Sequence, residues 1–271
     1  MVESVRGHTA VLLPQVLTAL NIRAGGTYLD ATFGRGGHAE AILEKLTLDG
    51  RMLCLDRDPV AIAEAKARLG SDSRVTLFLA PFSALEACAD AVEPHLKLDG
   101  ILFDLGVSSP QLDDAERGFS FMQDGPLDMR MSREGTSAAD VVNGASADEL
   151  ARIFREYGEE RFAGRIARAI AADRVKRPFT RTLELAGLIE RVAPSRERHK
   201  HPATRVFQAL RIHVNRELAE LESALEAAHA RPTLRLVGKS IEPDASEIAA
   251  NPRARSARLR VAERLPEGIA A

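Results

Sequence analysis

Three short segments of this sequence carry residues that could bind a ligand, and each follows an apolar run. The first is Asp30–His38, in which glycines recur directly after the apolar run. Glycines at such a point let the backbone approach a ligand closely, and the free N–H groups of a following helix then face that ligand. Gly34, Gly36 and Ala39 also satisfy the dinucleotide pattern G-x-G-x-x-G/A, which is weak evidence alone. A plain tight turn is the alternative interpretation.

The second segment contributes a carboxylate, Asp56, which stands 20 residues after Gly36 at the end of another apolar run. A carboxylate there can accept hydrogen bonds from both ribose hydroxyls of an adenosine, which NAD and S-adenosylmethionine both contain. Asp30 and Asp58 add negative charge nearby. That charge suits the amine and sulfonium of S-adenosylmethionine better than the pyrophosphate of NAD. A solvated carboxylate at a strand end is the alternative.

The third segment is Asp104–Gln111, after a fourth apolar run. Ligands of open α/β sheets bind outside the carboxyl ends of the strands, where Asp104 and Gln111 would offer an acceptor and an amide. A capped loop is the alternative. The hydrolase pattern G-x-S-x-G does not fit, because Pro110 takes the place of the last glycine.

These segments need a scaffold, and the first hundred residues predict one. Short apolar runs alternate with helical patterns, which is typical of βαβ units and a mostly parallel sheet with helices on both faces. The predicted fold class is therefore α/β. The predicted strands are Thr27–Phe33, Arg51–Asp56, Val75–Leu79 and Ile101–Asp104. One helix is predicted to begin at Ala39, and a second is predicted to span Pro59–Leu69.

The second half of the chain has a different character. Between Asp113 and about Lys200 no strand pattern is found, which predicts an inserted, all-helical domain. A long helix is predicted from Pro202 to Leu225, followed by two strands. The strands are Leu234–Val237 and Arg258–Ala262, and the predicted domains are residues 1–112 (core, first part), 113–200 (helical insert) and 201–271 (core, second part).

Basic residues are concentrated in and beside the predicted insert. Arg161, Arg165 and Arg168 recur at i, i+4 and i+7, so we expect them to share one helix face. Several basic clusters suit contact with a phosphate backbone, although a solvated face is the more common origin of such runs. The candidate RNA-binding residues are Arg161, Arg165, Arg168, Lys176, Arg177, Arg198, Lys200 and Arg205.

Composition excludes several classes of protein. The chain has 271 residues, 45% of them hydrophobic, which is too many for a disordered chain. No apolar stretch is long enough for a membrane span, and the N-terminal residues do not resemble a signal peptide. Cys54 and Cys88 are too few for a disulfide framework, and His199 and His201 lack further metal ligands. We expect a cytoplasmic protein without a metal site or membrane contact. Because the net charge is −2, any binding to nucleic acid would have to depend on local basic patches.

Taken together, the motifs resemble the family of bacterial 16S ribosomal RNA cytosine-N4 methyltransferases. The matching segments follow the family's order over nearly the whole chain, which is far more specific than a glycine loop. They are His8-Thr9 with Val11–Leu13, Thr32–His38, Asp56–Pro59, Pro81–Ser83, Asp104–Asp114, Arg117–Phe121, Gly125–Met131, Tyr157–Arg161, His201–Arg205 and Asn251–Ser256.

The resemblance implies a Rossmann-like methyltransferase core with an inserted helical substrate-recognition domain. It implies methyl transfer to the exocyclic amine of a decoding-centre (P-site) cytidine of 16S rRNA in the small ribosomal subunit. We expect Asp104 to be the catalytic acceptor for that amine, and we leave open whether the protein forms a homodimer. The implied contacts with the cofactor, S-adenosylmethionine, are Gly36, Gly37, His38, Asp56, Phe82, Asp104 and Gln111.

One departure from the family stands near residues 229–232. The family continues there with a glycine turn, a core strand and a Ser-Phe-His-Ser-Leu-Glu-Asp-Arg stretch, whereas this chain passes from Ala228 to Thr233 without them. A strand with its crossover takes about 30 residues, and its loss should leave a gap in the sheet.

Two explanations compete for this gap: a true deletion, or the joining of segments that a longer chain separates. A deletion would favour a second hypothesis, an rRNA-binding assembly factor that has lost catalysis. An NAD(P)-binding oxidoreductase is a third hypothesis, and only the G-x-G-x-x-A match supports it.

Overall fold

The computed structural model describes residues 10–193, 201–227 and 234–264. The chain divides into two compact units. The first combines Met1–Leu105 with Glu220–Ala271, and the second is Gly106–Ala219. The second unit thus extends beyond both ends of the predicted insert, and the boundaries at 112/113 and 200/201 stay predictions.

The first unit contains a four-stranded parallel sheet in the order β3-β2-β1-β4. The chain therefore adds strands outward on one side of β1 and then returns to place β4 on its other side. Such a reversal opens a crevice at the carboxyl ends of the strands, where ligands of this architecture bind. The strands are β1 (Thr27–Asp30), β2 (Arg51–Asp56), β3 (Val75–Leu79) and β4 (Gly100–Leu102).

Apolar side chains alternate between the two faces of this sheet, as the two-residue period of a strand requires. Tyr28 and Met52 pack in one buried cluster, whereas Leu29 and Leu53 pack in another. Helices cover both faces, which confirms the predicted α/β class. They include α1 (Leu13–Leu20), α2 (Gly37–Leu43) and α3 (Pro59–Leu69) with the first cluster, and α4 (Leu85–Val92) with the second.

Two of the predicted strands are longer than the observed ones. The first ends at Asp30 rather than Phe33, and the fourth ends at Leu102 rather than Asp104. Backbone hydrogen bonds to the neighbouring strands continue beyond β1, from the Ala31 N–H to the Leu102 carbonyl and from the Phe33 N–H to the Leu55 carbonyl, both at 2.9 Å. Beyond β4, the Asp104 backbone N–H donates to the Thr32 hydroxyl at 2.6 Å.

The second unit is helical. Among its described residues the only strand-like pairing is an isolated bridge between Pro126 and Arg181. Buried Leu150, Phe154 and Ile166 lie in its core. Its helices are α5 (Ser109–Asp113), α6 (Ala138–Gly144), α7 (Ala147–Glu156), α8 (Ala163–Arg174), α9 (Thr182–Val192) and α10 (Thr204–Val214).

The prediction of one long helix from Pro202 to Leu225 is wrong. The helix α10 ends at Val214, and a new helix, α11, spans Glu217–Ala227. Arg216, between them, has a φ of 51°, which lies in the left-handed region and cannot continue a right-handed helix. The apolar spacing persists across the break, so periodicity alone did not reveal it.

The two C-terminal strands form a separate antiparallel pair. The strand β5 (Leu234–Ile241) pairs with β6 (Leu259–Arg264), and α12 (Ala245–Ala250) lies between them in sequence. In the described part of the chain this hairpin does not join the parallel sheet, and β4 has β1 as its one strand neighbour. Leu236 is 68% exposed. This is the arrangement expected if a strand between β4 and the hairpin is missing; residues 229–232 lie outside the described residues.

Across these described ranges, no helix combines the length and the apolar character needed to cross a membrane.

Candidate active site

The glycine turn follows β1 and leads into α2. Gly36 has a φ of 74°, and a Cβ there would lie 2.4 Å from the Phe33 ring, so only glycine fits. The Gly34 N–H donates to Asp56 Oδ2 at 2.8 Å. This hydrogen bond braces the turn against the end of β2.

Asp56 is held on both sides of its carboxyl group. Its other oxygen accepts the Asp58 N–H at 2.8 Å. Burial raises the pKa of Asp56, while the hydrogen bonds from the Asp58 and Gly34 N–H groups oppose the rise. A carboxylate has about four lone-pair sites, so this fixed group retains acceptors for a ribose diol.

A second chain of hydrogen bonds joins the ends of β1 and β4. Asp30 Oδ1 accepts the Thr32 N–H at 3.0 Å and its hydroxyl at 3.4 Å, and Thr32 Oγ1 accepts the Asp104 N–H. Complete burial raises the pKa of Asp30 to about 7, and the charges of Asp104 and Asp56 add to the rise. The buried Asp30 thus orients the backbone that carries Asp104.

His38 and Asp104 lie side by side at this corner. His38, in the first turn of α2, is buried, and its Nε2 lies 3.0 Å from the Val11 carbonyl oxygen. Its Nδ1 lies 3.7 Å from Asp104 Oδ2, and the Asp104 side chain is 55% exposed. A polar group entering from solvent can therefore reach Asp104 directly.

Phe82 supplies an apolar wall near the end of β3. It is buried at the start of a short 3₁₀ turn, Phe82–Ala84, and its ring packs edge-on against Phe103 with centroids 5.9 Å apart. Gly37 is tight as well, because a Cβ there would lie 3.1 Å from Ala10 Cβ. Both residues occupy the first unit with Gly36, His38, Asp56 and Asp104.

Gln111 lies in the second unit. It is buried in α5, and its Oε1 accepts the Ser108 N–H at 3.0 Å. This bond caps the helix, so part of its amide group has a local structural role. The predicted contact between Gln111 and the cofactor stays a prediction.

The acidic character of the site decides which cofactor fits. Asp30, Asp56 and Asp58 gather around the glycine turn, and Asp104 lies across from it beside His38. Such a group of carboxylates repels the negative charge of a pyrophosphate and favours a positively charged ammonium or sulfonium. The residues present therefore fit S-adenosylmethionine, whereas they fit NAD(P) poorly.

The basic residues of the second unit are mostly exposed. Arg165 and Arg168 point to solvent from α8, but Arg161 precedes the first residue of that helix, so the predicted shared helix face holds for two of the three. Arg177 pairs with Glu184 at 2.7 Å, and Arg205 donates to the Glu159 carbonyl at 3.2 Å. Lys176 is exposed, whereas Arg198 and Lys200 lie outside the described residues.

Sequence reasoning missed two features. Thr32 was not singled out, although its place two residues after Asp30 is the spacing of an Asx turn and could have signalled it. In the second unit the exposed His201 ring stacks on Phe121 with centroids 4.6 Å apart. No local signal connects two aromatic residues so distant in sequence.

Comparison with known proteins identifies relatives along nearly the whole chain. "Ribosomal RNA small subunit methyltransferase H" of Idiomarina loihiensis is 46% identical over 313 residues, covering 98% of this chain and 99% of the relative. The proteins of the same name from Shewanella amazonensis (47% over 307 residues; 96% and 98%) and Thioalkalivibrio sulfidiphilus (48% over 305 residues; 95% and 97%) are similar. These alignments are longer than the chain itself, so they contain gaps in this sequence.

One solved structure, that of a putative rRNA-methylase from Clostridium thermocellum, is 23% identical to this chain. The match covers 38% of this chain and 55% of that protein, and its TM-score of 0.30 is too low to bear on the fold. The model of the MraW methylase family matches residues 5–232 and so ends where the expected block is missing. With most of its length matched, this chain belongs to the MraW methylase family and is a methyltransferase.

Proposed function

We propose that the chain transfers a methyl group from S-adenosylmethionine to N4 of a P-site cytidine in 16S rRNA of the small ribosomal subunit. The carrying observation is the exposed Asp104 carboxylate at the end of β4, beside the acidic glycine-turn site. The relatives' shared name supports the choice of rRNA as substrate.

The cofactor, when bound, supplies an electrophilic methyl group on a sulfonium. Asp56 would accept hydrogen bonds from the ribose hydroxyls of the cofactor. Two backbone N–H groups already fix the orientation of its carboxyl group, and its remaining lone pairs are available to the ribose. Gly36 and Gly37 would keep the turn before α2 tight, because a Cβ at either position would press on Phe33 or Ala10, and Phe82 with Phe103 offers an apolar surface. The acidic surroundings balance the positive charge.

Asp104 would orient the accepting amine. The lone pair of a cytosine amine is delocalised into the ring, so the amine is a weak nucleophile. A carboxylate that accepts its N–H hydrogen bonds holds the nitrogen in line and increases its electron density. Much of the rate enhancement would then come from positioning the amine. Before that, the target base must leave its stack in the rRNA, which costs a few kcal/mol of free energy.

The second unit would bind the rRNA backbone. Arg165, Arg168 and Lys176 are exposed and suit phosphate contacts, which position a nucleic acid without reading its sequence. The stacked pair Phe121 and His201 offers a ring surface for an unstacked base. A ribosomal substrate would place the protein in the cytoplasm.

Two measurements test this proposal. Equilibrium binding should show S-adenosylmethionine bound with NAD(P) excluded, and labelled methyl groups should be transferred to small subunits that lack the modification. Tighter binding of NAD(P) would contradict the choice of cofactor.

A second candidate, a non-catalytic rRNA-binding assembly factor, is favoured by one observation: the hairpin β5–β6 is not joined to the parallel sheet in the described residues. That candidate predicts binding to small subunits without methyl transfer.

A further inference from the structure

The imidazole of His38 is held in one tautomer. Its Nε2 lies 3.0 Å from the Val11 carbonyl oxygen, which can only accept a hydrogen bond. The hydrogen of the neutral ring must therefore be on Nε2. Nδ1 then carries a lone pair and is an acceptor.

That lone pair lies beside a second acceptor. His38 Nδ1 and Asp104 Oδ2 are 3.7 Å apart, too far for a hydrogen bond and close enough to repel. A single nitrogen can lie at hydrogen-bond distance from both acceptors at once. The acceptors are only 3.7 Å apart, which is less than two hydrogen bonds of about 2.9 Å laid end to end. The corner is therefore arranged for an amine with two N–H groups, one for each acceptor.

We propose that His38 is the base of the reaction: its Nδ1 accepts the proton that the substrate amine loses on methylation. The amine lone pair forms the new N–C bond while the C–S bond breaks and its electron pair returns to sulfur. The nitrogen then carries an extra proton, which passes to Nδ1. The imidazolium formed lies 3.7 Å from the Asp104 carboxylate, which balances its charge. This inference rests on the proposed amine substrate.

The surroundings suit a transient positive charge on the ring. The helix α1, which packs against α2, has no charged residue. Arg68 pairs with Glu40 on α2. The carboxylates Asp104 and Asp56 lie within electrostatic range of Asp30, Arg57 lies near Asp56, and Glu247 accepts the Leu12 N–H.

His38→Gln tests the role directly. The glutamine amide can still donate to the Val11 carbonyl, but its oxygen is not a base. We expect kcat at saturating S-adenosylmethionine to fall by about 100-fold or more, while the melting temperature stays the same. An unchanged kcat would overturn the inference, as would weaker cofactor binding at normal kcat.

A second readout needs neither cofactor nor activity. In the wild-type protein, ¹⁵N chemical shifts of the His38 imidazole should show the hydrogen on Nε2 at a pH where the ring is neutral. A hydrogen on Nδ1 would overturn the inference even if the glutamine variant does not fold. An inactive wild type would contradict the proposed function, whereas an active wild type with a fully active His38→Gln variant contradicts only the role of His38.

Discussion

The Thr32 hydroxyl accepts a hydrogen bond of 2.6 Å from the backbone N–H of Asp104, and so ties the end of β1 to the end of β4. Thr32 is in turn held by the buried Asp30. The backbone that carries the proposed catalytic carboxylate is thereby tied to the neighbouring strand.

Thr32→Val should therefore slow the reaction without preventing folding. The valine keeps the shape of the side chain but removes the acceptor for the Asp104 N–H. Asp104 is then held less firmly in position, and we expect kcat to fall by about 10-fold or more. Thr32→Ser, which keeps the hydroxyl, is the control and should retain most activity. Equal rates for the two variants in single-turnover methyl transfer would contradict this role.

Asp104→Asn and Asp104→Ala test the acceptor itself. An amide in place of the carboxylate accepts more weakly and presents an N–H to the substrate amine, so we expect kcat to fall at least about 100-fold. Alanine should be as slow or slower. Steady-state transfer of labelled methyl groups measures both, and wild-type rates in either variant would remove Asp104 from the mechanism.

Asp30 predicts an unusual dependence of stability on pH. Its folded pKa is about 7, above the ordinary value of 3.8, so the folded protein holds a proton that the unfolded chain releases. The free energy of unfolding should therefore fall as pH rises from about 4 to about 7, by on the order of a few kcal/mol. Asp30→Asn should flatten this slope and be more stable than wild type at pH 8. Denaturant unfolding of the cofactor-free protein measures it, and parallel curves would show that Asp30 does not carry the charge penalty.

The sequence predicted the α/β class of the framework, which the structure confirms, whereas the predicted site residues stay predictions. The glycine turn and the carboxylates Asp56 and Asp104 follow local rules, because backbone geometry restricts the residues that fit at strand ends. The proximity of His38 and Asp104 depends on where β4 lies relative to β1, and no local pattern encodes that. The break at Arg216 was likewise invisible, since the apolar spacing continues across it.

The exposed arginines of α8 predict a salt-dependent RNA affinity. Replacing Arg165 and Arg168 together with alanine should weaken binding to small subunits and lower the slope of log affinity against log salt by up to about 2. Arg152→Ala is the control, because Arg152 is exposed on α7 and already pairs with Glu156. An identical loss in the control would indicate a general charge effect rather than a defined contact.

The missing block predicts a stability defect that can be repaired. Inserting the corresponding segment of the Idiomarina loihiensis relative after Ala228 should give the hairpin a strand to join and cover Leu236 and Val237, which are 68% and 43% exposed. We expect the free energy of unfolding to rise by several kcal/mol. A Gly/Ser insert of equal length should not raise it. If the relative's segment also has no effect, the hairpin is complete without it.

The most direct test of the central claim is the product of the purified chain itself. Small subunits lacking the modification are incubated with the protein and S-adenosylmethionine, and the 16S rRNA is digested and analysed by nucleoside mass spectrometry. The proposed function predicts N4-methylcytidine at a single P-site position, absent when Asp104→Ala replaces the wild type. Subunits that bind the wild-type protein but contain no N4-methylcytidine would contradict the account and support the assembly-factor alternative.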